Sequence, residues 1–370
     1  MNPLNLTLTL TRRTALAGMA ATVAMPLRAA DPVVRLIAGT YAREGGKGLY
    51  PITYDAAADR WQVGMPVAGI DDASFGVKAP RGPWYVVKEQ TAGQVSSVGT
   101  DWAKQATVTT GGADPCHAAI DGTGTCLAVA NYSSGSVAFH RLDPRTGAPA
   151  DPTVFRHQGQ GPVRDRQAGP HAHWVGFSPD QRWLHSVDLG ADAIFAYRFD
   201  ATARTLAPPV MAWRAPPGSG PRHLIRHPRL AIAYVVCELS SQLIALTATP
   251  DGRFATRTSV STLPAGFKGT SFPAHIAIDR AGRRLYVSNR GHDSITVFAL
   301  DGTGMPQPIQ HIPSGGDWPR FFLMLEDRQR LLVANERSGS AAVFRIGADG
   351  KLAATGQTLA VPGVVFLGRV

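Results

Sequence analysis

Cysteine is scarce in this 370-residue chain, which has only Cys116, Cys126 and Cys237. None of them has CxxC spacing, so zinc-ribbon and redox motifs are excluded, as is a scaffold built on disulfides. Cys116 and Cys126 flank a turn at Asp121-Gly122-Thr123-Gly124, and folding about it sets Cys126 near Ala119 rather than near Cys116. All three are expected to be unpaired core or channel-wall residues. The chain also lacks any Lys/Arg run or basic helix, which argues against nucleic-acid binding despite a formal charge of +10. It has no GxSxG elbow, so a serine nucleophile of that type is excluded. It has no phosphate-binding glycine loop, haem motif or zinc motif, and no cofactor or metal is expected. No sustained helical period is present.

Long apolar runs are absent too. The nearest approach is Ala15 to Met25, which is shorter than the ~20 residues a transmembrane helix needs. It follows Thr11-Arg12-Arg13-Thr14 and precedes Pro26-Leu27-Arg28-Ala29-Ala30. Residues 1–30 are therefore expected to be a twin-arginine-type signal peptide, with Ala15 where a Phe is usual, and the mature protein to be periplasmic. Removing Arg12, Arg13 and Arg28 lowers the charge from +10 to +7. The dispersed arginines that remain suit a site for an anionic ligand. No membrane contact is expected after signal removal, and a monomer is expected.

Residues 31–370 carry a repeat. Gly (39) and Pro (28) are abundant and punctuate short β-branched and aromatic segments such as Thr296-Val297-Phe298. Clear copies begin at Pro115, Pro170, Pro221, Pro273 and Pro319, a weaker one holds Trp84 to Glu89, and a partial one runs from Val34 to Thr40. Their second strands end at Gly39, Lys88, Asn131, Asp188, Cys237, Asn289 and Asn335, in steps of 49, 43, 57, 49, 52 and 46 residues. That period predicts four-stranded propeller blades. Seven copies predict an all-β, seven-bladed β-propeller. The C-terminal segment Val361 to Leu367 looks like an unpartnered first strand that completes the first blade and closes the ring.

The first two strands of each copy are antiparallel, so the start of one and the end of the next share a face of the disc. The start positions are Cys116, His173, Arg222, Ala274 and Arg320; the end positions are Thr40, Glu89, Tyr132, Leu189, Glu238, Arg290 and Glu336. The recurrent Asn131, Asp188, Asn289 and Asn335 serve the blade by bonding turn backbone. Residues that vary from blade to blade are the functional candidates. Two guanidiniums, Arg222 and Arg290, can bind a carboxylate or phosphate and stabilise an oxyanion. Glu238 and His173 can move protons, with His171 as an alternate on the same strand side. Arg320, Glu336 and Glu89 are candidate substrate-binding residues.

These residues resemble the lactonase family of seven-bladed propellers, which includes propeller-type 6-phosphogluconolactonases and carboxymuconate cyclase. The resemblance spans roughly Gly39 to Phe366. It is carried by Gly39-Thr40-Tyr41, Pro170-His171-Ala172-His173, Gly220-Pro221-Arg222-His223, Glu238-Leu239, Ser288-Asn289-Arg290-Gly291-His292-Asp293-Ser294-Ile295, Pro319-Arg320 and Asn335-Glu336. It implies a site of one His, one Glu and two Arg, falling on His171 or His173, Glu238, Arg222 and Arg290. The chain departs from the family in having Cys237 where Asn precedes the Glu, and Asp71-Asp72-Ala73-Ser74-Phe75 in place of an Asn-Pro-Ser start. The implied activity is hydrolysis of a sugar or carboxylated lactone by activated water, on a small anionic lactone or dicarboxylate. Alternatives are a muconate cyclase, a non-catalytic binding propeller, and a metal-dependent lactonase using Asn131, Asp188 and Asn289.

Overall fold

Valine recurs in the second strand of every repeat among other apolar residues, and these strands are almost entirely buried, as in Ile232–Cys237 and Arg330–Asn335. They are the middle layers of seven antiparallel sheets. The computed structural model describes Met1, residues 33–80 and residues 82–370, so the expected signal segment lies, Met1 apart, outside the described residues. The fold is all-β and is a seven-bladed propeller.

Blade 1 is made of Val33–Thr40, Leu49–Asp55 and Arg60–Val63, with the C-terminal strand Val364–Arg369 innermost. Leu36 pairs with Arg369 and Gly39 with Phe366, so the last strand of the chain closes the ring onto the first. The innermost strands of blades 2 to 7 are Ala73–Lys78, Pro115–Ile120, Ala172–Phe177, Pro221–Arg226, Phe272–Ile278 and Pro319–Leu325. Each touches its neighbours, and the seven line a central channel.

Apolar side chains from facing blades interleave between them. Between blades 7, 1 and 2, Phe321, Leu332, Leu36, Trp84 and Phe366 form one such layer. Tyrosines add a recurring polar tie. The hydroxyls of Tyr85, Tyr234 and Tyr286 each donate to a glycine carbonyl of the next blade, at Gly147, Gly304 and Gly350, over 2.7–2.8 Å. Those glycines lie at φ 71°, 79° and 80°, a turn geometry that side chains resist. The blade asparagines do similar work: Asn131, Asn289 and Asn335 donate to the carbonyls of Thr110, Thr262 and Ser314, where the preceding blade's outer strand ends.

One irregularity recurs and positions the site. The pairing of the innermost strand with the second strand skips Ser74, Cys116, His173, Arg222 and Arg320, in blades 2, 3, 4, 5 and 7. In blade 6 it skips Ala274 and His275 together. A β-bulge re-aims the side chain it carries. The carbonyl two residues before the bulge accepts from the N–H at the end of the second strand, as in Asp72 to Glu89, Asp114 to Tyr132, Gly220 to Glu238 and Trp318 to Glu336. Bulge and strand end are thus tied together at the same mouth of the channel.

Candidate active site

The bulge of blade 5 turns Arg222 into the channel, where it is 2% exposed. Glu238, two strands' worth of chain later, faces it at 3% exposed. Arg222 Nε donates to Glu238 Oε2 over 3.0 Å, and Arg290 Nη2, from the end of the blade 6 second strand, donates to the same oxygen over 2.6 Å. The other oxygen, Oε1, accepts from Arg166 Nη2 over 2.5 Å. Burial opposes ionisation of Glu238, but Arg290, Arg222 and Arg166 overcome it and hold the carboxyl far below the usual carboxylate range. Burial, then the Arg290 charge beside it, lowers the proton affinity of Arg222. Arg222 Nη1 also donates to the Ala274 carbonyl over 2.6 Å, and Arg290 Nε to the Phe272 carbonyl over 3.0 Å, so both guanidiniums are fixed in place.

His173 is the bulge residue of blade 4 and lies inside the channel, its Nδ1 3.6 Å from Cys116 Sγ. Burial, then Arg222, pushes its pKa well below that of a free imidazole, so it is neutral. His171 sits further out, stacked on Tyr132 with ring centroids 4.6 Å apart. Its N–H donates to Asp188 Oδ1, and its Nδ1 lies 3.1 Å from the Tyr132 carbonyl. Below this layer the rings of His117 and His173 each approach that of His223 to 5.3 Å, and His223 reaches His275 at 5.5 Å.

Across the mouth stands a second cluster. Arg320 Nη1 and Nη2 lie 3.7 Å from Glu336 Oε2 and 3.6 Å from Glu89 Oε1. Tyr41 accepts from Arg320 and donates to Glu89, each over 2.6 Å. Arg43 reaches Glu336 Oε1 over 3.2 Å. Between the two clusters lies an open cavity of about 400 Å³, lined by Arg166, Arg290, Glu238, Arg320, Glu336 and Trp318 among others.

Glu238, Arg222, Arg290 and His173 are therefore brought together, and Arg320, Glu336 and Glu89 form a group of their own. His171 belongs to the rim. All three cysteines are buried and unpaired, with Cys116 on the channel wall. Among the described residues no three His, Cys, Asp or Glu side chains are grouped so as to hold a metal ion. Asn131 and Asn289 donate through Nδ2 to the Thr110 and Thr262 carbonyls, with their Oδ1 atoms buried and without a partner, and Asp188 Oδ1 accepts from the backbone N–H groups of His171 and Ala191.

Sequence reasoning missed Arg166, Tyr41 and Trp318 as site residues. Arg166 lies in Arg164–Gln167, a short helix in the connection from blade 3 to blade 4. The 57-residue repeat step there, the longest of the six, was the available signal. Trp318 adopts φ 67°, a left-handed conformation that is strained for an aromatic residue by about 1–3 kcal/mol. It is clasped between Arg290 and Arg337, whose guanidinium carbons lie 5.4 and 3.5 Å from its ring.

The family model described as a lactonase, 7-bladed β-propeller, matches residues 35–368. The chain belongs to that family. Curated lactonase relatives include the 6-phosphogluconolactonase of Bacillus subtilis, 30% identical over 334 residues, covering 88% of this chain and 95% of the relative. The 6-phosphogluconolactonase of Formosa agariphila is 31% identical over 339 residues, covering 87% and 95%. Among solved structures, the periplasmic gluconolactonase of Pseudomonas aeruginosa superposes with a TM-score of 0.84 at 30% identity, covering 91% of this chain and 99% of its own. This lactonase is an enzyme of the lactone-hydrolysing type.

Proposed function

We propose that the chain hydrolyses a small anionic lactone, a carboxylated or sugar-derived one, in the cavity at the channel mouth. The observation that carries this reading is the convergence of three guanidiniums on one buried carboxylate beside an open cavity. The excess cationic charge suits an anionic substrate and the oxyanion formed when water adds to the lactone carbonyl. Arg222 and Arg290 stabilise that oxyanion. Glu238 takes one proton from the attacking water as its oxygen bonds to the acyl carbon. The acyl–oxygen bond then breaks. The proton reaches the departing ring oxygen by way of His173, whose neutral imidazole accepts on one nitrogen as it donates from the other. The product acid releases its proton to solvent. Arg320 and Glu336 bound the opposite wall, with Glu89 paired to Arg320, and this group contacts the polar end of the substrate.

A periplasmic location is part of the proposal. It is supported by Arg12-Arg13 and the apolar run that follows, and by the periplasmic neighbour. Export favours an unphosphorylated lactone, and the protein is proposed to act as a monomer without nucleic-acid or membrane partners.

The test is pH-stat hydrolysis of a lactone panel by the mature protein and by Glu238→Gln. The expected outcome is acid release above the spontaneous rate, lost in the variant while lactone binding survives. Full turnover by Glu238→Gln would overturn the assignment of the base.

A further inference from the structure

The two oxygens of Glu238 are held in different ways. Oε2 accepts from Arg222 and Arg290, whose side chains are 3% and 7% exposed and are locked to backbone carbonyls. Oε1 accepts from Arg166, whose side chain is 33% exposed. Arg166 is also the one member of the trio not borne on a blade strand. Its connection is pinned at two buried points. At the first, His157 Nδ1 lies 2.7 Å from Asp188 Oδ2. At the second, the Gln167 amide donates to the Leu189 carbonyl over 2.8 Å. Between them, residues 158–160 and 162–165 are exposed. Of the three guanidiniums on Glu238, Arg166 is therefore the one open to a free anion at the mouth, and it covers the one oxygen of Glu238 that the fixed pair leaves available.

A carboxylate with three cationic partners is a poor base. We propose that Arg166 is a substrate-operated latch: the anionic group of the lactone takes the Arg166 guanidinium in place of Glu238 Oε1, and the freed oxygen becomes the base that deprotonates water. Oε2, still held by Arg222 and Arg290, keeps the carboxylate oriented. A neutral lactone offers nothing to exchange for Glu238 and leaves the latch shut. Arg166 thus selects for anionic lactones through the base as well as through binding. This inference rests on the lactonase reading of the site and adds to it a substrate class and the residue that enforces it.

The experiment compares kcat/KM for a neutral lactone, glucono-δ-lactone, with that for a carboxylated lactone, in the wild type, Arg166→Gln and Arg166→Lys. The wild type is expected to prefer the carboxylated lactone. Arg166→Gln is expected to gain on the neutral lactone and lose on the charged one, moving the ratio by about ten-fold or more, the scale of a one-unit change in the basicity of Glu238. Arg166→Lys, which restores a cation, is expected to return the ratio towards the wild-type value. A variant that loses activity on both lactones in equal proportion would make Arg166 a merely structural residue and overturn the latch, as would a wild type that prefers the neutral lactone. Failure of the wild type to hydrolyse either lactone would instead overturn the lactonase reading, and the latch with it.

Discussion

Around Glu238 three guanidiniums face one carboxylate, whereas across the mouth Arg320 and Arg43 face Glu89 and Glu336. The first cluster carries an excess of positive charge within the protein; the second is balanced. Both are built from the same positions of the repeat, a bulge residue on an inner strand and the residue just past the second strand. The frame is symmetric and the chemistry is not. Buried charges that are balanced among themselves brace a wall, while buried charges left in excess are a place for a charge that comes from outside.

The comparison breaks most visibly at Arg320. Arg320→Gln leaves Glu336 and Glu89 facing each other without their shared cation, so a loss of about 3–5 kcal/mol in unfolding free energy is expected, measured by denaturant melts. Arg222→Gln sits at the equivalent position and should behave in the opposite way. It removes one of three like charges, so stability should stay near the wild-type value, while kcat/KM for the lactone falls by about 10²–10³-fold. Equal stability losses in the two variants would show that the charge imbalance has no meaning.

Acid sharpens the contrast in a third way. Burial and the Arg222 charge hold His173 and His223 well below the ordinary imidazole pKa and lower His275 to about 3. A base whose folded pKa is depressed takes up protons in the unfolded chain first, so stability is complete above pH 6.5 and falls as the pH drops below it. Each such imidazole contributes up to about 1.4 kcal/mol per pH unit in that window. His275→Gln should therefore flatten the dependence of Tm on pH between 6.5 and 4, by an amount that Arg320→Gln does not reproduce.

The repeat showed through in the sequence because each blade buries its strands in the same way: strand-end residues such as Asn131, Asn289 and Asn335 recur at a common spacing. Closure was visible in Val361 to Leu367, whose strand, Val364–Arg369, had no other partner. The grouping of Glu238, Arg222, Arg290 and His173 followed from which positions vary between blades. The histidine stack was not visible. Strict alternation along a strand turns the residue after each start position away from the channel, and a bulge cancels that alternation. His117 and His223 meet across the channel from blades 3 and 5 for this reason. Arg166 was hidden for a different one. Its place depends on Gln167 and His157 bonding to blade 4, contacts that no local pattern encodes.

The smallest expected effect tests the other side of the distinction between repeated and unrepeated residues. Asn335 is fully buried and donates to the Ser314 carbonyl over 3.1 Å, as Asn131 and Asn289 do in their own blades. It adjoins Glu336, so a purely proximal view of the site would give it a part in turnover. Its recurrence points instead to the seam between blades. Asn335→Ala should cost about 1–2 kcal/mol of stability, the loss of one buried hydrogen bond and its orphaned carbonyl, with kcat/KM unchanged below the melting range. A fall in turnover without a fall in stability would move Asn335 from the frame into the site, and with it the line drawn here between what every blade needs and what one mouth of the channel does.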